Sequence, residues 1–187
     1  IWGSVEVAPG VFDWSDYDRQ FDLAEKYGIK TIIAEITTSV PEWAAARYPE
    51  LLPVDINRKT VYPEMGVSCG TGGFFTGFCL HNSAARELVG TYLQNMADRY
   101  KNSNALLGYD VSNECYVSKD ICYCRETVKK FQWWIKNKYK DIKTLNIVWK
   151  KYSYTDFSEV LPPYNPGFFQ DSVDWLEFRR VQNFENI

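Results

Sequence analysis

Asn113 and Glu114 are the residues of this chain whose types and placement are best suited to chemistry. They close the stretch ALLGYDVSNE, residues 105–114, an apolar run that ends on an amide and a carboxylate. A general acid needs a pKa raised towards neutrality, and an apolar rim of the kind Tyr109, Tyr116 and loop aromatics would make raises it by disfavouring the charged form. The amide of Asn113 suits a substrate hydroxyl or the orientation of the neighbouring carboxyl. The same dipeptide also suits a helix start, with Asn as N-cap and Glu in the first turn. These residues alone leave both roles open. Thiols form the second group: Cys69, Cys79, Cys115, Cys122 and Cys124. An odd count in a mid-sized, non-repetitive chain fits a disulfide framework poorly and points to free thiols or a metal site. His81, the only histidine, suits a cap or a loop hydrogen bond as well as a ligand.

The elements that must position these groups follow from the pattern of apolar residues. Ser15 is expected to cap a helix in which Tyr17, Phe21 and Ala24 share a face, with Gly28 stopping it. The run IKTIIAEI, residues 29–36, is β-branched and apolar throughout, as a strand buried on both faces would be. Residues 37–82 carry Pro41, Pro49, Pro53, Pro63 and CGTGG. A stretch this long without regular pattern is usually functional or disordered, and Trp43, Tyr48, Phe74 and Phe75 argue for an ordered, site-forming loop. Ser83 is expected to cap a helix over 84–100 with a stripe of Ala85, Leu88, Val89, Tyr92, Met96 and Ala97. A second buried strand then leads to Glu114. Helices are predicted at 125–139 and 143–151, a break at LPPYNPG, and a last helix from about Ser172 to the end of the chain. Helix, glycine and buried strand in this order is the grammar of an α/β protein, and two such strands, each followed by an active-looking loop, suggest part of a (β/α)8 barrel, where chemistry sits at the C-terminal ends of the strands.

The composition narrows the function. With 187 residues the chain can bury a sizeable core. Its net charge of −3 is made of interspersed signs, with no basic stripe for nucleic acid. No apolar run approaches the ~20 residues of a membrane span. Aromatics make up 17% of the chain, with 7 Trp and 13 Tyr; such rings fill cores first, and also line sugar sites. The chain opens on Ile1 rather than Met, as a piece of a longer protein would.

Longer stretches carry a resemblance. GVFDWSDYDRQFDLAEKYGIKTII, VPEWAAARYPELLPVD, HNSAARELVGTYLQNMADRYKNSNALLGYDVSNE, CYC and KKFQWWIKNKYKDIKTLNIVWKKYSYTDFSEVLPP occur here in that order. Together they resemble glycoside hydrolase family 42, the β-galactosidases of the large retaining (β/α)8 clan. The resemblance covers roughly residues 2–185. It implies a partial (β/α)8 TIM barrel, roughly the second to fifth β/α units, forming a fragment of one catalytic domain. It implies that Glu114 is the general acid/base, that Asn113 contacts the sugar, and that Trp43, after the third strand, offers an aromatic wall. Retaining hydrolysis needs a second carboxylate about 5–5.5 Å away as nucleophile, and the resemblance places it downstream of Ile187, so this chain alone is expected to be inactive. The family's Cys-x-Cys-x-x-Cys loop plus one earlier Cys maps onto Cys122, Cys124 and Cys79, implying a structural zinc and no organic cofactor. Thr127 stands where the third loop Cys would be, with Glu126, His81, Cys115 or Cys69 as candidate fourth ligands. No Arg lies between Arg58 and Arg86, where the family has a sugar-binding one. That departure leaves a β-mannosidase or an endo-glucanase of the same clan as alternatives, and the absence of the nucleophile from these residues leaves a non-catalytic sugar-binding module. The implied partner is a β-galactoside or related oligosaccharide, and the implied full-length assembly a homotrimer.

Overall fold

The computed structural model describes residues 1–34, 40–62, 77–110, 121–165 and 167–186. They form two compact units, one of residues 1–52 and 62–115, the other of residues 53–61 and 116–187.

The first unit opens with α1 (Trp2–Val5) and the short hairpin β1 (Glu6–Ala8) and β2 (Val11–Phe12). Gly10, at φ +72, supplies the left-handed residue of its turn. Helix α2 (Ser15–Lys26) follows, then β3 (Thr31–Ala34), α3 (Glu42–Arg47), α4 (Ser83–Tyr100) and β4 (Leu106–Asp110). Strands β3 and β4 are parallel neighbours, with Ile33 beside Tyr109 and Ala34 beside Asp110. Parallel pairing requires a crossover, and α3 and α4 lie in it. The stripe predicted for α4 is the buried one: Ala85, Val89, Tyr92 and Met96 all face the core. Gly28, at φ +65, ends α2 as expected.

Both caps read from sequence move by one residue. Trp14 is the N-cap of α2 and makes no side-chain cap bond; one residue further out, the carboxylate of Asp13 accepts the Ser15 N–H at 3.0 Å. Asn82, not Ser83, caps α4, its side chain accepting the Ala84 N–H at 3.0 Å. An Asx residue just outside the helix reaches an orphan amide that a serine inside it cannot. The strands also differ from expectation. Ile33 is buried, but Ile32 and Leu107 are 54% and 64% exposed, so among the described residues the sheet is covered on one face. A continuous apolar run states that a face can be covered without stating by what.

Much of the aromatic content proves to be core. Trp2 stacks on Tyr92 at 5.4 Å, Trp14 meets Tyr100 edge-on at 5.8 Å, and Phe21 stacks on Tyr100 at 4.3 Å. Burial pushes the Tyr92 phenol up, so it serves as a neutral ring. Below it Asp18 ties α2 to α4: it accepts from Arg99 Nε at 2.7 Å and from the Tyr100 hydroxyl at 3.0 Å. The hydrogen bond from Arg99 holds the Asp18 carboxyl below its ordinary value. A folded-state pKa lowered in this way gives stability that is complete above the unfolded value and is lost as pH falls through the folded one. Asp18→Asn is therefore expected to lower the unfolding midpoint at pH 7, with the gap to the wild type closing below about pH 4. A gap that stays constant from pH 7 to pH 3 would contradict this.

In the second unit, Val54 bridges Thr60 and Asp55 bridges Ile121. Helices α5 (Arg125–Tyr139), α6 (Ile142–Trp149) and α7 (Gln170–Asn186) follow. Helix α6 stops at Trp149 because Lys150 turns left-handed at φ 56, two residues earlier than expected. The core is a second aromatic cluster in which Phe131 meets Trp175 edge-on at 5.1 Å and Phe178 at 5.2 Å. Among the described residues no helix is long and apolar enough to cross a membrane.

Candidate functional site

β3 and β4 run side by side to Ala34 and Asp110, so their C-terminal ends lie together. Residues that follow such ends are the usual bearers of chemistry in parallel β/α folds. Asn113 and Glu114 follow Asp110 within four positions, and they lie outside the described residues, as do Cys69, Cys115 and Tyr116.

Trp43 stands in the first turn of α3, beyond β3. Its indole N–H donates to the Glu6 carbonyl at 2.8 Å, and its ring packs against the core of the first unit. The Glu6 side chain is held in turn by the Trp2 indole N–H and by the Gly10 N–H at 2.9 Å. The polar handle of Trp43 is thus spent on backbone, leaving only a ring face for any ligand.

Cys79 lies in the first unit, buried, in the turn that leads to α4; its N–H donates to the Leu51 carbonyl at 2.8 Å. His81, also buried, sits two residues on. Cys122 and Cys124 lie in the second unit on the loop before α5. Cys122 is buried, and its Sγ accepts two backbone N–H groups, from Val54 and from Cys124, each at 3.4 Å. Cys124 is the N-cap of α5, where the positive end of the helix dipole favours an anionic sulfur. Its Sγ lies 3.2 Å from the hydroxyl of Thr127, which is fully buried. Thr127 thus fills the third loop position with a hydroxyl. Glu126 is engaged elsewhere, in an ion pair with Lys129 at 2.9 Å. Amide donors and a helix N-terminus around sulfur favour thiolate, the form that binds metal, so the loop fits a thiolate-ligated zinc at Cys122 and Cys124.

The second unit also contains a cleft of about 410 Å³ lined by Trp149, Lys151, Tyr154, Glu159, Tyr164 and Asp171 among others. Sequence reasoning took LPPYNPG only as a chain break. Its prolines beside exposed rings were the available signal for a wall.

Parallel strands joined through helices, with chemistry-bearing residues beyond their C-terminal ends, define an α/β protein of the kind enzymes are commonly built on. More particularly, the chain belongs to glycoside hydrolase family 42: the model of that family, described as beta-galactosidase, matches residues 1–186. It is 30% identical over 190 residues to a β-galactosidase of Geobacillus kaustophilus, covering 97% of this chain and 26% of that one. It is 29% identical to a β-galactosidase of Bifidobacterium bifidum, again covering 97% and 26%. Among solved structures it is similar to a catalytic mutant of a family-42 β-galactosidase from G. stearothermophilus, with a TM-score of 0.78, 30% identity, and coverage of 99% of this chain and 27% of that one. The chain thus spans about a quarter of the length of the relatives it matches.

Proposed function

We propose that this chain is part of a retaining β-galactosidase that hydrolyses terminal β-D-galactosyl residues, with Glu114 as its acid/base. The observation that carries the reading is the parallel pair β3 and β4, beyond whose C-terminal end the sequence reaches Asn113 and Glu114. In this reading the chain is a fragment of one catalytic (β/α)8 barrel domain, roughly its second to fifth β/α units. The nucleophilic carboxylate comes from outside these residues. Protonated Glu114 gives its proton to the glycosidic oxygen as the C–O bond breaks and the nucleophile bonds to the anomeric carbon. The Glu114 carboxylate then takes a proton from water, whose oxygen attacks that carbon and releases the nucleophile, retaining configuration. Asn113 holds a sugar hydroxyl beside the cleaved bond, and the Trp43 ring face contacts the sugar. In this reading Cys79, Cys122 and Cys124 are zinc ligands, and the metal is structural and takes no part in the reaction. The full-length protein is a homotrimer.

A second reading, a β-mannosidase or endo-glucanase of the same clan, is favoured by the absence of Arg between Arg58 and Arg86. A panel of nitrophenyl β-glycosides on the full-length protein decides between them. The galactoside is expected to turn over fastest. Faster turnover of the mannoside or glucoside would transfer the assignment, and binding without turnover of any would replace the enzyme with a sugar-binding protein.

A further inference from the structure

Arg58 lies between Asp55 and Thr60 in the turn after Val54, with its backbone left-handed at φ 64. Asp55 closes this turn: its carbonyl accepts the Arg58 N–H at 3.0 Å, and its carboxylate the Lys59 N–H at 2.8 Å. Glycine adopts such a conformation at little cost and a side chain adopts it at some. The arginine is therefore kept against the preference of its backbone, and its side chain shows what is gained. Nη1 donates to the Tyr123 carbonyl at 3.0 Å and Nη2 to the Tyr164 hydroxyl at 2.8 Å. The guanidinium lies over both rings, 5.5 Å from the centroid of Tyr123 and 4.7 Å from that of Tyr164. A planar fork that donates and stacks at once is a property of arginine and not of lysine.

Tyr123 is the residue between the two thiols. Its carbonyl and the Cys124 N–H belong to one planar trans peptide unit and point in opposite directions. Holding the oxygen therefore aims the N–H, and that N–H is the one that donates to Cys122 Sγ at 3.4 Å. Val54, on the arm that leads into the same turn, supplies the second N–H to this sulfur. The segment reaches the thiol loop through its backbone, where the Val54 carbonyl also accepts the Tyr123 N–H at 2.7 Å, and through Arg58. On the far side the Tyr123 hydroxyl donates to the Pro163 carbonyl at 3.0 Å, so the residue is gripped at both ends.

We propose that Arg58 is a positioning residue for the Cys122-Tyr123-Cys124 loop, fixing the Tyr123–Cys124 peptide so that the two thiols are set relative to each other before a metal arrives. The proposal rests on the zinc reading above. Arg58 acts on the loop through the Tyr123–Cys124 peptide plane.

The test compares wild type, Arg58→Gly and Arg58→Lys in the full-length protein. Glycine keeps the turn and relieves its strain, so the variant is expected to fold. Two quantities are measured: amide exchange at Cys124 in the metal-free protein, and the rate of zinc release to a chromogenic chelator. Arg58→Gly is expected to speed both by about tenfold, the effect of losing one hydrogen bond from a charged donor. Arg58→Lys is expected to fall between, because the ammonium keeps the charge and loses the fork. Unchanged exchange and release in Arg58→Gly would overturn the proposal while leaving the zinc reading in place. A wild-type protein that takes up no zinc would overturn the zinc reading, and the proposal with it.

Discussion

Glu114→Gln in the full-length protein is expected to lower kcat/KM for an unactivated galactoside such as lactose by about 10²- to 10⁴-fold, the usual contribution of a positioned general acid–base group. The amide keeps the size and the hydrogen-bonding capacity of the carboxyl group and removes only its titration. The deficit should therefore depend on the leaving group. Lactose departs as a sugar alkoxide and needs the proton. A nitrophenolate leaves without it, so the same variant should form the glycosyl-enzyme well and stall at its hydrolysis. Azide needs no base to attack and should restore turnover of the nitrophenyl substrate by releasing a β-galactosyl azide. The pH profile should change as well. An acid that must be protonated loses activity as pH rises through its pKa, and an amide has nothing to lose, so the alkaline limb should disappear. Glu126→Gln is the control, because that carboxylate is engaged with Lys129. A Glu114→Gln protein that hydrolyses lactose at the wild-type rate would place the acid elsewhere.

Elements were legible in the sequence where one physical signal dominated. The period of apolar residues gave α4, Gly28 marked the end of α2, a β-branched run gave β3 and a short apolar run gave β4. What escaped depended on partners far along the chain. Helix α1 and the β1–β2 hairpin are too short to show a period, and they are fixed by the Trp2 and Gly10 bonds to Glu6. The count of tryptophan and tyrosine could not separate core from sugar wall. The stack of Trp2 on Tyr92 and the edge-on contact of Trp14 with Tyr100 put those rings in the core. For the site, the Cys-x-Cys spacing announced the thiol loop. The amide that Val54 aims at Cys122, 68 positions away, has no trace in local sequence. Nor does the role of Arg58, since nothing in INRKT distinguishes a solvated cation from one that grips the Tyr123 carbonyl.

The largest stability effect is expected from Asp174→Ala. Nothing near Asp174 in the sequence singles it out from the other acids of α7, yet its side chain is completely buried. Oδ1 accepts from Lys138 Nζ at 3.0 Å and from Gln170 Nε2 at 2.7 Å, and Oδ2 accepts from the Tyr139 hydroxyl at 2.6 Å and from the Trp149 indole N–H at 2.7 Å. One carboxylate thus joins the ends of α5 and α6 to the start of α7. Burying a charge costs several kcal/mol, and only a full set of donors offsets it. Alanine leaves a buried indole N–H and a phenol without their acceptor and deprives Lys138 of its buried partner, although Lys138 keeps Glu177 at 2.5 Å. Removing one member of a buried pair costs about 3–5 kcal/mol. Tyr139→Phe takes away one donor of four and should cost about 1 kcal/mol, because the carboxylate stays satisfied by the others. Asp174→Asn is the sharper comparison. It preserves shape, but it turns one acceptor into a donor facing two donors, so it should fall much nearer to alanine than to wild type. Amide exchange across α5 and α7 reads these costs locally. An Asp174→Ala protein whose α7 amides are within about 1 kcal/mol of wild-type protection would mean that the aromatic cluster of Phe131, Trp175 and Phe178 holds the helices alone.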